Sequence, residues 1–129
     1  MNDKIHFVGK LNREIFKDVT EYIITDEVII TDARIDHIKK NHPGDYEGYF
    51  QYAKEIVENP DYILEANKPF TGMILKDFSN RDEQFKVILR IKTYSDEPEY
   101  KNSIITFMKN DQKEWERLLK NKKVLYKRE

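Results

Sequence analysis

Cysteine is absent from this 129-residue sequence. Without a thiol there is no disulfide framework, no thiolate zinc or iron–sulfur site and no cysteine nucleophile, so three histidines and the carboxylates are the only candidate metal ligands. A reducing cytoplasm is compatible with that composition. No apolar run approaches the ~20 residues that a membrane-spanning helix requires. The opening MNDKIHFVGK also lacks the apolar middle of a secretory signal. The expectation is a soluble, unexported protein with no membrane partner. Internal repeats, low-complexity tracts and Gly/Ser/Pro-rich linkers are missing too, so residues 1–129 read as a single domain. The Met1 start leaves open whether the chain is a whole protein or a fragment of a larger one.

What is present is charge and aromatic carbon. Seven Phe, eight Tyr and one Trp within a 39% hydrophobic composition suffice for one core. Charged residues make up 36% of the chain, yet 23 basic side chains nearly cancel 24 acidic ones and leave a formal net charge of −1. Distribution therefore matters more than the sum. The last stretch, KNKKVLYKRE, is basic and the stretch YSDEPEY is acidic, so a locally positive groove for RNA is compatible with a neutral total, as is a well-mixed solvated surface.

Periodicity supplies the elements. Two β-prone stretches are expected near Arg13 to Lys17 and from Glu27 to Thr31, the latter β-branched. Asp32 offers a helix N-cap, and that helix must end near Asn41 because the residue before Pro43 is pushed out of the helical region. From Asp45, the stripe Tyr46, Tyr49, Phe50, Ala53, Ile56 and Val57 predicts an amphipathic helix ending at Asn59–Pro60. DYILEA, TGMILKDF, QFKVILRIKT and NSIITFMK follow as strands of a meander. Asp111 with Glu114 resembles a capping box opening a helix that turns Trp115, Leu118 and Leu119 inward, and KVLYK reads as a last strand. The expected fold is α+β, with N-terminal helices packed on a four- to five-stranded, mostly antiparallel sheet.

Chemistry is concentrated in HIKKNHP. Arg34, His37 and Asn41 share a stripe beside the buried Ile35 and Ile38, so His37 faces outward or into a cleft. His42 lies five residues on, ~140° around an ideal helix, and would reach His37 only by folding back beyond the helix end. Two imidazoles titrating near neutrality suit a general base and a general acid; equally, a histidine at a helix C-terminus caps carbonyls. The spacing does not match a metalloprotease zinc motif, and no metal or other cofactor is expected. Strand alternation places Arg90 and Lys92 on one side of QFKVILRIKT, puts Ile104, Thr106 and Met108 on one side of NSIITFMK and Ser103 on the other, and aligns Ile74, Lys76 and Phe78. A face gathering Lys76, Arg90 and Thr106 would offer two cations and a hydroxyl to a phosphate, although Lys and Arg also snorkel from ordinary exposed faces.

As an ordered set, DEVIITDARIDHIKKNHPGDY, EIVENPDYILEANKP, VILRIKT, YKNSIITFMK and KKVLYKRE resemble the phage-encoded barnase-EndoU-colicin-RelE-like nuclease domains found in phage head-morphogenesis proteins and mobile-element effectors. That resemblance implies a toxin-like, metal-independent ribonuclease acting on RNA, with a phage head or immunity protein as a further partner. It places the protein in the bacterial host cytoplasm or with the phage particle. It favours His37, His42, Arg90 and Ser103 or Thr106 as catalytic residues, with Lys76, Lys92, Arg34 and Lys40 on the substrate phosphate. The competing expectation is a non-catalytic structural or binding module that kept the fold without the catalytic geometry.

Overall fold

A computed structural model of the chain describes residues 3–79 and 83–129. Strand β1 (Ile5–Lys10) leads into a one-turn helix α1 (Arg13–Phe16), then β2 (Glu27–Thr31) and α2 (Asp32–Asn41). Next come α3 (Asp45–Tyr49), a 3-10 turn (Phe50–Tyr52) and α4 (Ala53–Glu58). Strands β3 (Tyr62–Glu65), β4 (Thr71–Phe78), β5 (Glu83–Arg90) and β6 (Asn102–Asn110) follow, then α5 (Gln112–Asn121) and β7 (Val124–Lys127). The described strands form one mixed sheet in the order β1-β2-β6-β5-β4-β3-β7. All neighbours are antiparallel except β2 and β6, which run parallel only through Val28↔Asn102 and Ile29↔Ser103.

The α+β class is as expected, whereas the arrangement is not. The chain opens on a strand, and the sheet has seven strands among the described residues rather than four or five. Edge strand β1 carries exposed Ile5 and Phe7 and only one buried residue, Gly9, so its sequence lacks the one-sided alternation that marks a half-buried strand. Residues 13–17, expected as a strand, instead hold α1 and its C-cap Lys17, because the Asn12 side chain accepts from Glu14 N–H at 2.9 Å and nucleates a helical turn. Helix α2 is capped by Thr31 rather than Asp32: the Thr31 hydroxyl accepts from Arg34 N–H at 3.3 Å. Asp32 turns instead to His6 Nε2, 2.6 Å away. Gly44, in the left-handed region at φ 87°, makes the reversal from α2 into α3 that a side chain would strain.

The long helix expected from Asp45 is broken at Tyr49. The tighter 3-10 turn rotates successive aromatics onto one surface, so that Tyr49 and Tyr52 both meet the Phe85 ring, at 5.4 and 5.9 Å, and Phe50 meets Phe107 at 5.2 Å. Helices α1, α2 and α4 bury Phe16, Ile35, Ile38, Ala53, Ile56 and Val57 against Val28, Ile30, Ile74, Phe85, Val87, Leu89 and Phe107 on one face of the sheet. Helix α5 crosses the other face and covers Leu64, Met73 and Leu75 with Trp115 and Leu118. Its N-terminus is fixed by the expected cap, Asp111 accepting from Glu114 N–H at 2.8 Å. The central part of that second face, around Arg90 and Ser103, is lined by open clefts.

Candidate functional site

Register decides which residues share the open face. Arg90 pairs with Thr71 on β4 and Ser103 on β6, and Ile88 pairs with Met73 and Thr106. Between these pairs a β-bulge adds Ile105 to β6. The extra residue shifts the parity, so Ser103 and Thr106, which simple alternation separates, both look out on the Arg90 side while Ile104 and Phe107 remain in the core.

Two adjoining clefts sit on this face. One, of about 440 Å³, is lined by polar Arg34, Asn67, Lys68, Thr71, Arg90 and Lys122 over a floor that includes Met73, Ile88 and Ile105. The other, of about 500 Å³, shares Arg34, Arg90 and Ile105 and adds Thr31, Asp96, Tyr100, Lys101 and Ser103. Each is large enough for a nucleotide-sized ligand. The parallel pairing of β2 with β6 ends at Ile29↔Ser103, and α2 starts immediately after β2; this is how Arg34, in the first turn of α2, reaches the same clefts as Arg90.

The two guanidiniums differ in their surroundings. Arg34 is half-buried, and its side chain has no hydrogen-bond or ion-pair partner among the described residues. Arg90 donates from both terminal nitrogens to Asp96, at 2.7 and 3.1 Å, in a forked pair. The same carboxylate accepts from Thr93 N–H at 2.8 Å, folding the acidic loop between β5 and β6 back onto the strand end. The Arg90 hydrogen bonds first, and the Thr93 N–H second, hold the Asp96 carboxyl down to about 2 from an ordinary 3.8. A guanidinium has five N–H donors, and Asp96 uses two of those on Arg90.

The remaining expected residues divide. Ser103 lines the second cleft, and Thr106 lies next along the same face with its hydroxyl oxygen buried and unpartnered among the described residues. Lys76 does not join Arg90. It pairs with Phe85, which faces the helices, so Lys76 points into the opposite side and donates its Nζ to Asn59 C=O at 2.7 Å and to Asp61 at 3.4 Å. Asp61 also meets the exposed Arg128 at 2.9 Å, so the buried Lys76–Asp61 pair ties the chain end to β4. Lys92 is likewise withdrawn, because β5 ends at Arg90; its Nζ donates to Pro98 C=O at 2.7 Å and braces the acidic loop.

His37 is exposed on α2, one turn beyond Arg34, and its ring nitrogens lie 3.2 and 3.4 Å from Asn41 Nδ2. His42 is the half-buried C-cap of α2, its backbone N–H donating to Ile38 C=O at 2.8 Å. Among the described residues no hydrogen bond joins the two imidazoles. Neither histidine lines the Arg34–Arg90 clefts, and Lys40 is exposed on the same helix outside them. The third histidine, His6, held by Asp32, lines a small cleft with Tyr46 and Phe50 instead. Among the described residues no group of three or more His, Asp or Glu side chains is placed to hold a metal.

Sequence reasoning missed Asp96, Lys122 and Lys68. Only the acidity of YSDEPEY signalled the first, since nothing in its spacing shows that the loop returns to Arg90. No helix among the described residues is long and apolar enough to cross a membrane. No curated protein and no solved structure matches the chain. The family described as phage-Barnase-EndoU-ColicinE5/D-RelE like nuclease2 matches residues 5–127, the whole sheet and every helix of the described fold, and the chain belongs to that family.

Proposed function

We propose that the Arg34–Arg90 cleft binds an RNA phosphate and that the protein is a metal-independent endoribonuclease. The observation that carries this reading is the unpaired, half-buried guanidinium of Arg34 beside that of Arg90 in one concave surface. A half-buried cation without a counter-charge is costly, and a phosphate would satisfy Arg34 by forked hydrogen bonds while also accepting from the Arg90 donors that Asp96 leaves free. In the proposed reaction the ribose 2′-oxygen attacks the adjacent phosphorus and the bond to the 5′-oxygen breaks, leaving a 2′,3′-cyclic phosphate and a 5′-hydroxyl. A base takes the 2′-hydroxyl proton and an acid returns one to the departing 5′-oxygen. Arg34 and Arg90 stabilise the charge that gathers on the phosphoryl oxygens, with Ser103 and Lys122 at the rim.

His37 and His42 are the proposed acid–base pair, His37 being the nearer in chain terms, one helical turn from Arg34. One observation favours the second reading, a binding module without catalysis: both imidazoles stand outside the clefts that hold the arginines. A single assay separates the two. Cleavage of single-stranded RNA, insensitive to chelator and absent on a fully 2′-deoxy strand, supports the endoribonuclease; binding without cleavage at any pH supports the module. Wild-type turnover in both His37→Ala and His42→Ala overturns the histidine mechanism whichever way the arginines behave.

A further inference from the structure

Three buried side-chain polar atoms lack any partner among the described residues: Thr106 Oγ1 and both Nδ2 and Oδ1 of Asn110. All lie on one track. The β5–β6 pairs along the Arg90 face run Arg90↔Ser103, Ile88↔Thr106, Lys86↔Met108 and Gln84↔Asn110, so Thr106 and Asn110 point to the same side of the sheet as the arginine cleft. Asn110 is 6% exposed and lines a separate polar cleft of about 520 Å³ with Asp45, Gln84, Lys109, Asp111 and Gln112.

An amide buried with both its donor and its acceptor unsatisfied is destabilising where a leucine would not be, which marks it as a group held for something other than folding. Its neighbours in the cleft are already engaged with one another. Gln84 Nε2 donates to Gln112 Oε1 at 2.7 Å, Gln112 Nε2 to Glu116 at 3.0 Å, Lys109 N–H to Asp45 at 3.0 Å and Glu114 N–H to Asp111 at 2.8 Å. Each of these contacts fixes the wall without touching Asn110. A single amide that offers a donor beside an acceptor complements the edge of a nucleobase, which carries an acceptor beside a donor.

We infer that the Asn110 cleft is a nucleobase subsite, in line with the Arg34–Arg90 phosphate site along the β5–β6 face. Arg90 and Gln84 are separated by six strand residues, roughly 20 Å at ~3.3 Å each, so the recognised base is several nucleotides from the phosphate held by the arginines. Both Asn110 atoms are closed to solvent, and the base reaches them by parting the neighbouring Gln84–Gln112 amide bridge. The inference builds on the reading of the arginine cleft as a polynucleotide site, but the subsite itself binds base and not phosphate.

The test titrates isotope-labelled full chain with nucleosides, which carry no phosphate, and separately with inorganic phosphate. Nucleosides at millimolar concentration should shift the Asn110 side-chain amide and Gln84 signals, whereas phosphate should shift Arg34 and Arg90. Asn110→Leu should abolish the nucleoside response, weaken a non-cleavable 2′-O-methyl oligonucleotide by about tenfold and leave the phosphate response intact, which also reports that the variant is folded. Asn110→Ala gives the same comparison if leucine crowds the site, and Gln112→Ala, which removes the bridge, should tighten nucleoside binding. Failure of RNA cleavage alone bears on the proposed activity and leaves this outcome standing. Absence of any nucleoside shift at Asn110, or wild-type oligonucleotide affinity in both Asn110 variants, overturns the subsite. A response to free nucleosides without weakening of the oligonucleotide in those variants overturns the alignment with the arginine cleft.

Discussion

Replacing Asp96 by Asn removes one negative charge from the arginine cleft and keeps the shape of the side chain. The wild-type carboxyl titrates at about 2 against an ordinary 3.8, so its folded-state pKa is depressed, and the stability it contributes is present above pH 4 and lost as pH falls through about 2. At ~1.36 kcal/mol per pH unit that depression corresponds to at most roughly 2 to 3 kcal/mol at neutral pH. Arg90 is 38% exposed, and solvent screening brings the expected cost of Asp96→Asn to about 1 kcal/mol. Urea denaturation of both proteins should show that gap at pH 7 and about half of it at pH 3, because at pH 3 the unfolded carboxyl is mostly protonated and the folded one mostly is not. Phosphate affinity should move the other way. A carboxylate and a phosphate sharing one guanidinium at ~6 Å repel by roughly 1 to 3 kcal/mol, so the variant should bind inorganic phosphate about tenfold more tightly. A variant that loses stability and binds phosphate more weakly would show that Asp96 positions Arg90 rather than competing for it. An unchanged urea midpoint at pH 7 would remove the ion pair from the account of the loop.

Three further outcomes follow from the geometry. Arg34→Ala and Arg90→Ala should each lower kcat/KM on RNA by ~10²- to 10³-fold and the double variant by less than the product, measured by initial rates, because both arginines serve one phosphate. Lys76→Met should cost ~1 to 3 kcal/mol in a urea melt by leaving Asn59 C=O without its 2.7 Å donor, with RNA binding unaltered; lost binding would return Lys76 to the site. Phe85→Ala, which removes a fully buried ring touching Tyr49, Tyr52, Phe78 and Phe107, should cost ~3 to 5 kcal/mol, and an unshifted midpoint would show that the aromatic cluster is not the core.

Much of the fold was legible because burial on one face leaves a period in the sequence. TGMILKDF is β4 residue for residue, Asp111 and Glu114 make the expected cap, and Tyr46, Tyr49, Phe50, Ala53, Ile56 and Val57 face the core even though their helix breaks at Tyr49. Strand β1 was not legible, since an edge strand exposed on most positions has no one-sided pattern. The same local logic placed Arg34 and His37 on one stripe of α2 and assigned the α+β class.

The site was different, because its membership depends on register and on long-range return of the chain. A one-residue bulge at Ile105 brings Ser103 and Thr106 to one side, and no feature of NSIITFMK announces it. Lys76 and Arg90 alternate correctly within their own strands, yet the β4–β5 pairing sets them on opposite faces. Asp96 meets Arg90 only because the loop after β5 folds back. Composition and periodicity thus determined which residues prefer to be buried and what local structure they adopt, since those follow from side-chain chemistry at neighbouring positions. Tertiary structure alone decided which cations face one cleft and which are spent on the core, since a side chain's partner across the sheet is set by pairing between strands far apart in the chain.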